Sequence, residues 1–167
     1  MMAAKIGSAA TVKVIQRITG PAGVNSGLAA LKQAGNALAS PLETAQVRSQ
    51  NVAPDVADRS TTVQYPAMNV YCEKIVNTLK EKFRTFSGGV QMAIELRHSQ
   101  DRLDGLQDAL ELYTDALTQV LNVGRGDWGD GMFYGGAYEV AFGPVKKGGK
   151  NYIQVAKVTF EIGVSRS

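Results

Sequence analysis

The residues whose types could carry out covalent chemistry are few in this sequence and lie far apart in it. Cys72 and His98 are the only cysteine and the only histidine, and together they could form a thiol–imidazole pair for nucleophilic catalysis. Nothing in the sequence indicates that they meet. His98 ends an apolar strand face, which is typical of a structural histidine, and Cys72 occupies a core position in an alternating pattern. We therefore predict no catalytic residue and no enzymatic activity.

A glycine-rich segment, residues 124–131, holds two carboxylates that could bind a cation. Asp127 and Asp130 flank Trp128, but a dedicated calcium loop supplies about 6–8 oxygen ligands and ends in glutamate. The segment also follows a helix and lacks a Gly-Lys-Ser/Thr sequence, which is the wrong context for phosphate binding. We predict no metal and no cofactor, and interpret the aspartates as turn-forming residues. Trp128 is either an anchor of this loop or an interface residue.

A cluster of lysines is the clearest charged feature. Lys146, Lys147 and Lys150 surround two glycines, as expected at a hairpin tip whose glycines adopt positive φ. The tip is either solvated or contacts an acidic protein surface or DNA, for which three lysines contribute a modest, salt-sensitive attraction. The net charge of +3 over 167 residues permits such contacts without requiring them. A small basic nucleic-acid-binding module is thus one interpretation of the chain.

Hydrophobic periodicity indicates which elements position these residues. Residues 90–98 carry apolar side chains at alternate positions and predict a strand with one buried face. Glu95 and Arg97 lie on its other face, which is either solvated or at an interface between subunits. Residues 68–72 alternate in the same way, whereas residues 74–86 fit either a helical face or a continued strand.

The longest predicted helix covers residues 101–123. Its large apolar residues recur every three or four positions and form one stripe. The stripe consists of Leu103, Leu106, Leu110, Tyr113, Leu117 and Val120. Ser99 or Asp101 is expected to cap the start of the helix, and Gly124 fits its end. At this length a helix packed across a sheet is favoured over a coiled coil.

The C-terminal part of the sequence predicts a long β-hairpin. Residues 132–145 and 151–164 form its strands, which exceed the usual length of about 5–6 residues. The lysine tip that joins them is therefore expected to project beyond the core, after a loop at residues 124–131. The candidate interface residues are Lys146, Lys147, Lys150, Trp128, Phe133, Glu95 and Arg97.

The first sixty residues differ in composition, because they contain no aromatic residue and many small or polar ones. Short helices are expected at residues 9–18 and 28–38, the second ended by Ser40-Pro41. This segment offers few large apolar groups to offset the entropy of ordering. We therefore expect residues 1–60 to form a loosely structured arm that orders on a partner, followed by an α+β domain over residues 61–167.

Together these elements predict an α+β fold. It would contain a mostly antiparallel β-sheet with a long helix packed on one face, a long C-terminal β-hairpin and an extended N-terminal arm. Lys13 and Arg17 interrupt the apolar stretch near the N-terminus, which disfavours a signal peptide. No run of about 18 apolar residues predicts a membrane span, and a single cysteine permits no intramolecular disulfide. We expect folding in a reducing cytoplasm without membrane contact.

Over residues 61–165 the chain resembles the tail terminator proteins of tailed bacteriophages, also called tail completion or neck proteins. The resemblance rests on YPAMNVYCEKIVN, on FRTFSGGVQMAIELRHSQDRLDGLQDALELYTDALTQVL, and on the closing YEVAFGPV and NYIQVAKVTFEIGVS. It includes the Tyr-Pro start and the Ser-Gln-Asp entry to the helix, and no catalytic signature. It implies an α+β fold with a mostly antiparallel sheet and helices packed on it.

The resemblance also implies a function. Such proteins form a hexameric ring at the head-proximal end of the tail tube, stop tube polymerisation and join the tail to the head. The expected partners are further copies of the chain, the tail tube protein and head-tail connector or neck proteins, with a sheath or collar protein reached by the N-terminal arm. Genomic DNA would pass the ring without specific binding, and the protein would be assembled into the virion in the host cytoplasm. A head-side connector or adaptor is the alternative.

Overall fold

A computed structural model describes residues 5–35, 41–53, 56 and 63–167 of the chain. The helices are α1 (Ile6–Thr19), α2 (Val24–Gln33) and α3 (Leu106–Val123), and a 3-10 turn covers Thr44–Gln46. The strands are β1 (Val47–Ser49), β2 (Ala67–Asn77), β3 (Phe86–Gln100), β4 (Gly126–Gly129), β5 (Met132–Phe142), β6 (Lys146–Gly148) and β7 (Asn151–Arg166).

The strands form one seven-stranded sheet in the order β1-β2-β3-β7-β5-β4, with β6 paired to β7. β1 runs parallel to β2, and the other pairs are antiparallel. The prediction of an α+β fold with a mostly antiparallel sheet is confirmed. The parallel strand β1 was not predicted, because it is only three residues long and lies in the segment that we expected to be loosely structured.

The alternation predicted for residues 90–98 continues across the sheet. Ile94 of β3 lies between Val70 of β2 and Val158 of β7, and all three side chains are buried. Because neighbouring strands keep the same register, their apolar residues form one continuous face on which the helices pack. The hydrophobic core lies between this face and the helices.

Helix α3 lies on the sheet as predicted, but it begins later than expected. Strand β3 continues to Gln100, opposite Tyr152, so Ser99 is a strand residue and cannot cap the helix. The N-cap position is taken by Gly105 at φ 80°, and no side chain caps it. Gln100 instead fixes the connection, since its Nε2 donates hydrogen bonds to the carbonyl oxygens of Arg102 and Asp104 at 2.8 Å each.

The apolar stripe of α3 is otherwise as predicted. Leu103 falls outside the helix and is exposed, whereas the other five stripe residues are buried. Gly124 is the C-cap residue, as expected. The helix therefore begins where its own apolar face meets the sheet rather than at the first residue that resembles a cap.

The N-terminal helices pack on the same core, which differs from the loosely structured arm that we expected. Helix α1 packs against β2, and α2 packs against α3. Their almost fully buried apolar residues are Ala10, Val14, Ile18, Val24 and Leu28. These side chains are small or medium in size, so they let the helices approach the sheet and each other closely. Leu38 and Ser40, expected at the end of the second helix, lie outside the described residues.

In two further segments the structure decides between alternatives or adds a strand to a predicted loop. Residues 74–77 continue strand β2 after an irregularity between Cys72 and Lys74, and only residues 78–85 form a loop. Within residues 124–131 a short strand, β4, pairs with β5. The predicted C-terminal hairpin is confirmed, with strands at Met132–Phe142 and Asn151–Arg166.

Candidate interaction surfaces

Cys72 and His98 are not brought together by the fold. Cys72 lies opposite Met92 in the β2–β3 pair, and His98 is six residues further along β3, which is about 20 Å at the rise of an extended strand. Burial raises the pKa of the Cys72 thiol, so this thiol is less reactive than a free one. The two residues do not form a catalytic pair.

His98 lies at the end of the core face, where its ring packs at 5.6 Å from the ring of Tyr113 in a tilted arrangement. Burial lowers the pKa of His98 below its usual 6.5, because the charged imidazolium is disfavoured away from water. Its strand partner across the sheet is Gln154 of β7. These contacts agree with the interpretation of His98 as a structural residue.

Trp128 is a core residue rather than an interface residue. Its indole Nε1 donates a 2.6 Å hydrogen bond to the carbonyl oxygen of Gly124. The ring lies 5.5 Å from that of Tyr134, and Arg17 of α1 covers it. Only 7% of the side chain is exposed. The loop-anchor interpretation is therefore the correct one, and the place of Trp128 among the candidate interface residues was wrong.

Asp127 and Asp130 act in turn formation, as predicted. Asp127 Oδ1 accepts a 2.8 Å hydrogen bond from the backbone N–H of Gly129. Asp130 pairs with Lys13 of α1 at 3.0 Å, and this lysine lowers the pKa of the Asp130 carboxyl. Within the part of the chain that the structure describes, no group of three or more histidine, cysteine or acidic side chains is placed to hold a metal ion.

Glu95 and Arg97 are buried, so the expectation of a solvated or intersubunit face at these positions was wrong. Only 8% of Glu95 and 2% of Arg97 is exposed. Tyr71 of β2 donates a 2.7 Å hydrogen bond from its hydroxyl group to Glu95 Oε1. Burial, together with this carboxylate, raises the pKa of Tyr71. The sheet therefore has a polar, water-excluded region on its second face, which an alternating pattern does not distinguish from a solvated one.

The remaining candidate interface residues lie on the surface. Lys146, Lys147 and Lys150 are exposed around the turn that joins β6 and β7, and Lys147 Nζ lies 6.0 Å from the ring centroid of Tyr152. The side chain of Phe133 on β5 is 57% exposed. These positions are accessible to a partner.

A more prominent surface feature, which the sequence analysis missed, is the loop of residues 78–85 between β2 and β3. Phe83 is fully exposed and Leu79 is 59% exposed. Both residues have left-handed backbone conformations, with φ of 64° and 50°. Such a conformation costs a residue other than glycine about 1–2 kcal/mol. The loop thus holds two large apolar side chains in water at an energetic cost.

Hydrogen bonds fix this loop in place. Asn77 accepts from the backbone N–H groups of Leu79 and Ser87 through Oδ1, and its Nδ2 donates to the Thr85 carbonyl oxygen. Glu81 accepts a 2.6 Å hydrogen bond from the hydroxyl group of Ser165 and pairs with Arg84. The sequence feature that could have indicated this loop is the ambiguous periodicity of residues 74–86, in which Phe83 lies between two basic residues.

At the opposite end of β3 the surface contains an open groove of about 630 Å³. It lies between the segment that precedes the 3-10 turn, the Tyr65-Pro66 segment, the end of β3 and the first turn of α3. Its lining includes Pro41, Glu43, Gln64, Pro66, His98 and Tyr113. The exposed part of its lining is mostly polar and includes Glu43 and Gln64, with Pro41 beside them.

No described helix combines the length and the apolar character needed to cross a membrane. Comparison with known proteins assigns no family: the sequence matches no protein-family model, and no curated protein is significantly similar to it.

Proposed function

We propose that this chain is a structural virion protein that resembles phage tail terminators. By the resemblance, it forms a hexameric ring at the head-proximal end of the tail tube. There it stops tube polymerisation and provides the surface that joins the tail to the head. The proposal rests on the sequence resemblance over residues 61–165, together with the distribution of exposed elements on one folded core.

The observation that carries the proposal is that one sheet presents different exposed elements at its two ends. The loop of residues 78–85, with Phe83 fully exposed, follows β2 at the end where β3 begins. The lysine tip lies at the end where β3 finishes, since Gln100 pairs with Tyr152 and Lys147 pairs with the same residue. A ring subunit needs unlike surfaces that meet head to tail, and this arrangement supplies them.

Three unlike contacts are required of a terminator, namely neighbouring subunits, the tube end and the connector. The exposed loop and the lysine tip lie at opposite ends of the sheet and are available for two of these contacts, and the exposed Phe133 is a further apolar residue at the loop end. The N-terminal helices are part of the core, so we assign contact with a sheath or collar protein to exposed residues of the N-terminal segment rather than to an unfolded arm.

Electron microscopy of the purified full chain over a range of concentrations tests the proposal. Closed six-fold rings, and capping of isolated tail tubes by the added protein, are the expected results. Capping of filled heads instead of tubes would assign the chain to the head-side connectors. Monomers that cap neither tubes nor heads would contradict a ring function, and strong salt-sensitive DNA binding by such monomers would favour the nucleic-acid-binding alternative.

A further inference from the structure

We propose that the outer edge of strand β5, at residues 138–142, is a docking site for an extended segment of another protein. That segment adds one strand to the sheet, and it carries apolar side chains at alternate positions with a basic side chain between them. An edge of this kind recruits a strand whether or not the chain forms a ring, so the contact is independent of the function proposed above.

Strand β5 lacks a neighbour along most of its outer side. Its inner side pairs with β7 as far as Phe142, whereas β4 pairs with its outer side only at residues 132–134. Among the described residues, no strand pairs with the outer side of residues 135–142. An irregularity in β5 lies between Tyr134 and Tyr138, so residues 138–142 are the regular part of this open edge.

The backbone of this edge faces outward at alternate residues. The N–H of Gly143 donates a 2.8 Å hydrogen bond to the carbonyl oxygen of Val155 on β7. Hydrogen-bonded pairs alternate along an antiparallel ladder, so residues 139 and 141 also bond to β7. The residues whose N–H and C=O groups point away from β7 are Tyr138, Val140 and Phe142. Since these groups need partners with the spacing of a strand, an extended chain is the occupant that satisfies them.

The side chains of the same three residues lie on the core face of the sheet, but the helices do not cover them fully. Helix α3 packs mainly on β3 and β7. Tyr138 and Val140 are only partly buried at the rim of the core, and Phe142 is 40% exposed. An added strand with apolar side chains on this face would extend the core over them, because neighbouring strands place side chains of opposite residues side by side.

Other parts of the sheet edges are protected against strand addition, and this part is not. Beyond Phe142 the chain continues with Pro144, which has no N–H to donate, and with Lys146 and Lys147 of β6. The opposite edge of the sheet, beyond β1, carries the exposed residues Glu73 and Lys74. Proline and charged residues are the usual means by which proteins block an edge. Residues 138–142 contain a single charged residue, Glu139.

Glu139 determines the charge of the partner. Its side chain is exposed on the second face of the sheet, opposite Thr159 of β7. Lys157, the next residue of β7 on that face, forms an ion pair with Glu73 of β2. Glu139 is therefore accessible to a new cation, and a basic side chain on the added strand would lie directly or diagonally across from it.

Amide hydrogen exchange followed by NMR in the full chain tests the edge. In the free protein the amides of Tyr138, Val140 and Phe142 should exchange much faster than those of Glu139 and Ala141. The probe is a designed peptide, acetyl-TVKVKVT-amide, which should slow exchange at the three outward amides only. The matched control is the same peptide N-methylated at alternate residues, so that it cannot donate to the edge, and it should give no protection.

Three results would overturn the proposal. Equal protection of all five amides in the free chain would show that the edge is already covered. Protection of the outward amides that increases with protein concentration would make a second copy the occupant. No protection at the highest soluble concentration of the peptide, or equal protection by the N-methylated peptide, would show that the edge does not accept a strand.

Two variants give an independent measurement. Val140→Pro removes an outward N–H without breaking a bond to β7, and it should weaken peptide binding about tenfold, as expected for the loss of one backbone hydrogen bond. Glu139→Lys, at an exposed position, should reverse the charge preference, so that acetyl-TVEVEVT-amide binds more tightly than the lysine peptide. Unchanged unfolding midpoints establish that the variants are folded. If Glu139→Lys leaves the preference for the lysine peptide unchanged, the assignment of a basic partner is wrong.

The outcomes are separate from those of the ring experiment. If the chain forms closed rings but its edge accepts no peptide, the docking edge is wrong and the ring proposal stands. If the edge binds the peptide and the chain caps neither tubes nor heads, the docking edge is correct and the terminator function is wrong.

Discussion

The guanidinium carbon of Arg17 lies 4.3 Å from the ring centroid of Trp128, which joins the N-terminal helix α1 to the turn before the C-terminal hairpin. Lys13, one helical turn earlier, donates a 2.9 Å hydrogen bond to the Trp128 carbonyl oxygen and pairs with Asp130. The N-terminal segment is thereby fixed to the sheet through polar contacts as well as through its buried apolar face.

Replacement of Trp128 by alanine should therefore impair folding rather than assembly. A buried aromatic side chain replaced by alanine costs about 3–5 kcal/mol, so we expect a loss of this size in the free energy of unfolding, measured by urea denaturation. Phe133→Ala, at an exposed position close in sequence, is the control and should change stability by less than about 0.5 kcal/mol. Equal stability of the two variants would contradict the core assignment of Trp128.

The buried pair of Tyr71 and Glu95 gives a second prediction. Tyr71→Phe leaves the Glu95 carboxylate without the hydroxyl donor at 2.7 Å, and an unsatisfied buried acceptor costs about 1–3 kcal/mol. The double variant Tyr71→Phe, Glu95→Met should recover part of this loss, because it removes both polar partners. Chemical denaturation of the two single variants and the double variant measures the coupling, and simple additivity would show that the pair does not act as a unit.

His98 predicts a pH dependence of stability. Its folded pKa is below the unfolded value of about 6.5, so the unfolded chain binds more protons as the pH falls below 6.5. Neutral His98 therefore makes its full contribution to the free energy of unfolding above pH 6.5. This contribution decreases as the pH falls towards the folded pKa. The stability difference between wild type and His98→Gln should narrow between pH 7.5 and pH 5.5 in urea titrations. A difference that is constant across this range would contradict the prediction.

The lysine tip should contribute to assembly and not to folding. Lys146, Lys147 and Lys150 are exposed. Their joint replacement by glutamine should therefore leave the free energy of unfolding unchanged within about 0.5 kcal/mol. If the tip contacts an acidic surface of a partner, the triple variant should complete fewer tails in a reconstitution assay, and the wild-type yield should fall with added salt. Normal tail completion by the triple variant would remove the tip from the interface.

Sequence periodicity alone identifies the helices and strands that have a strong pattern. The alternation of residues 90–98 and the three-and-four spacing of α3 identify a strand and a helix, because one buried face imposes these periods. The paired long strands at the C-terminus follow from the same principle. The separation of Cys72 from His98 also agrees with the absence of any signal that they form a catalytic pair.

Which polar and small residues are buried depends on how the elements pack in three dimensions. Glu95, Arg97 and Trp128 were candidates for an interface, and the fold places them inside, because burial depends on what covers a face and not on the face's own pattern. The small side chains of α1 and α2 form part of the core because the sheet and α3 supply complementary surfaces. Phe83 is the converse case, because it is an apolar residue that stays exposed to water. The backbone conformation of its loop and the hydrogen bonds made by Asn77 and Ser165 hold it there, and hydrophobic periodicity does not indicate this.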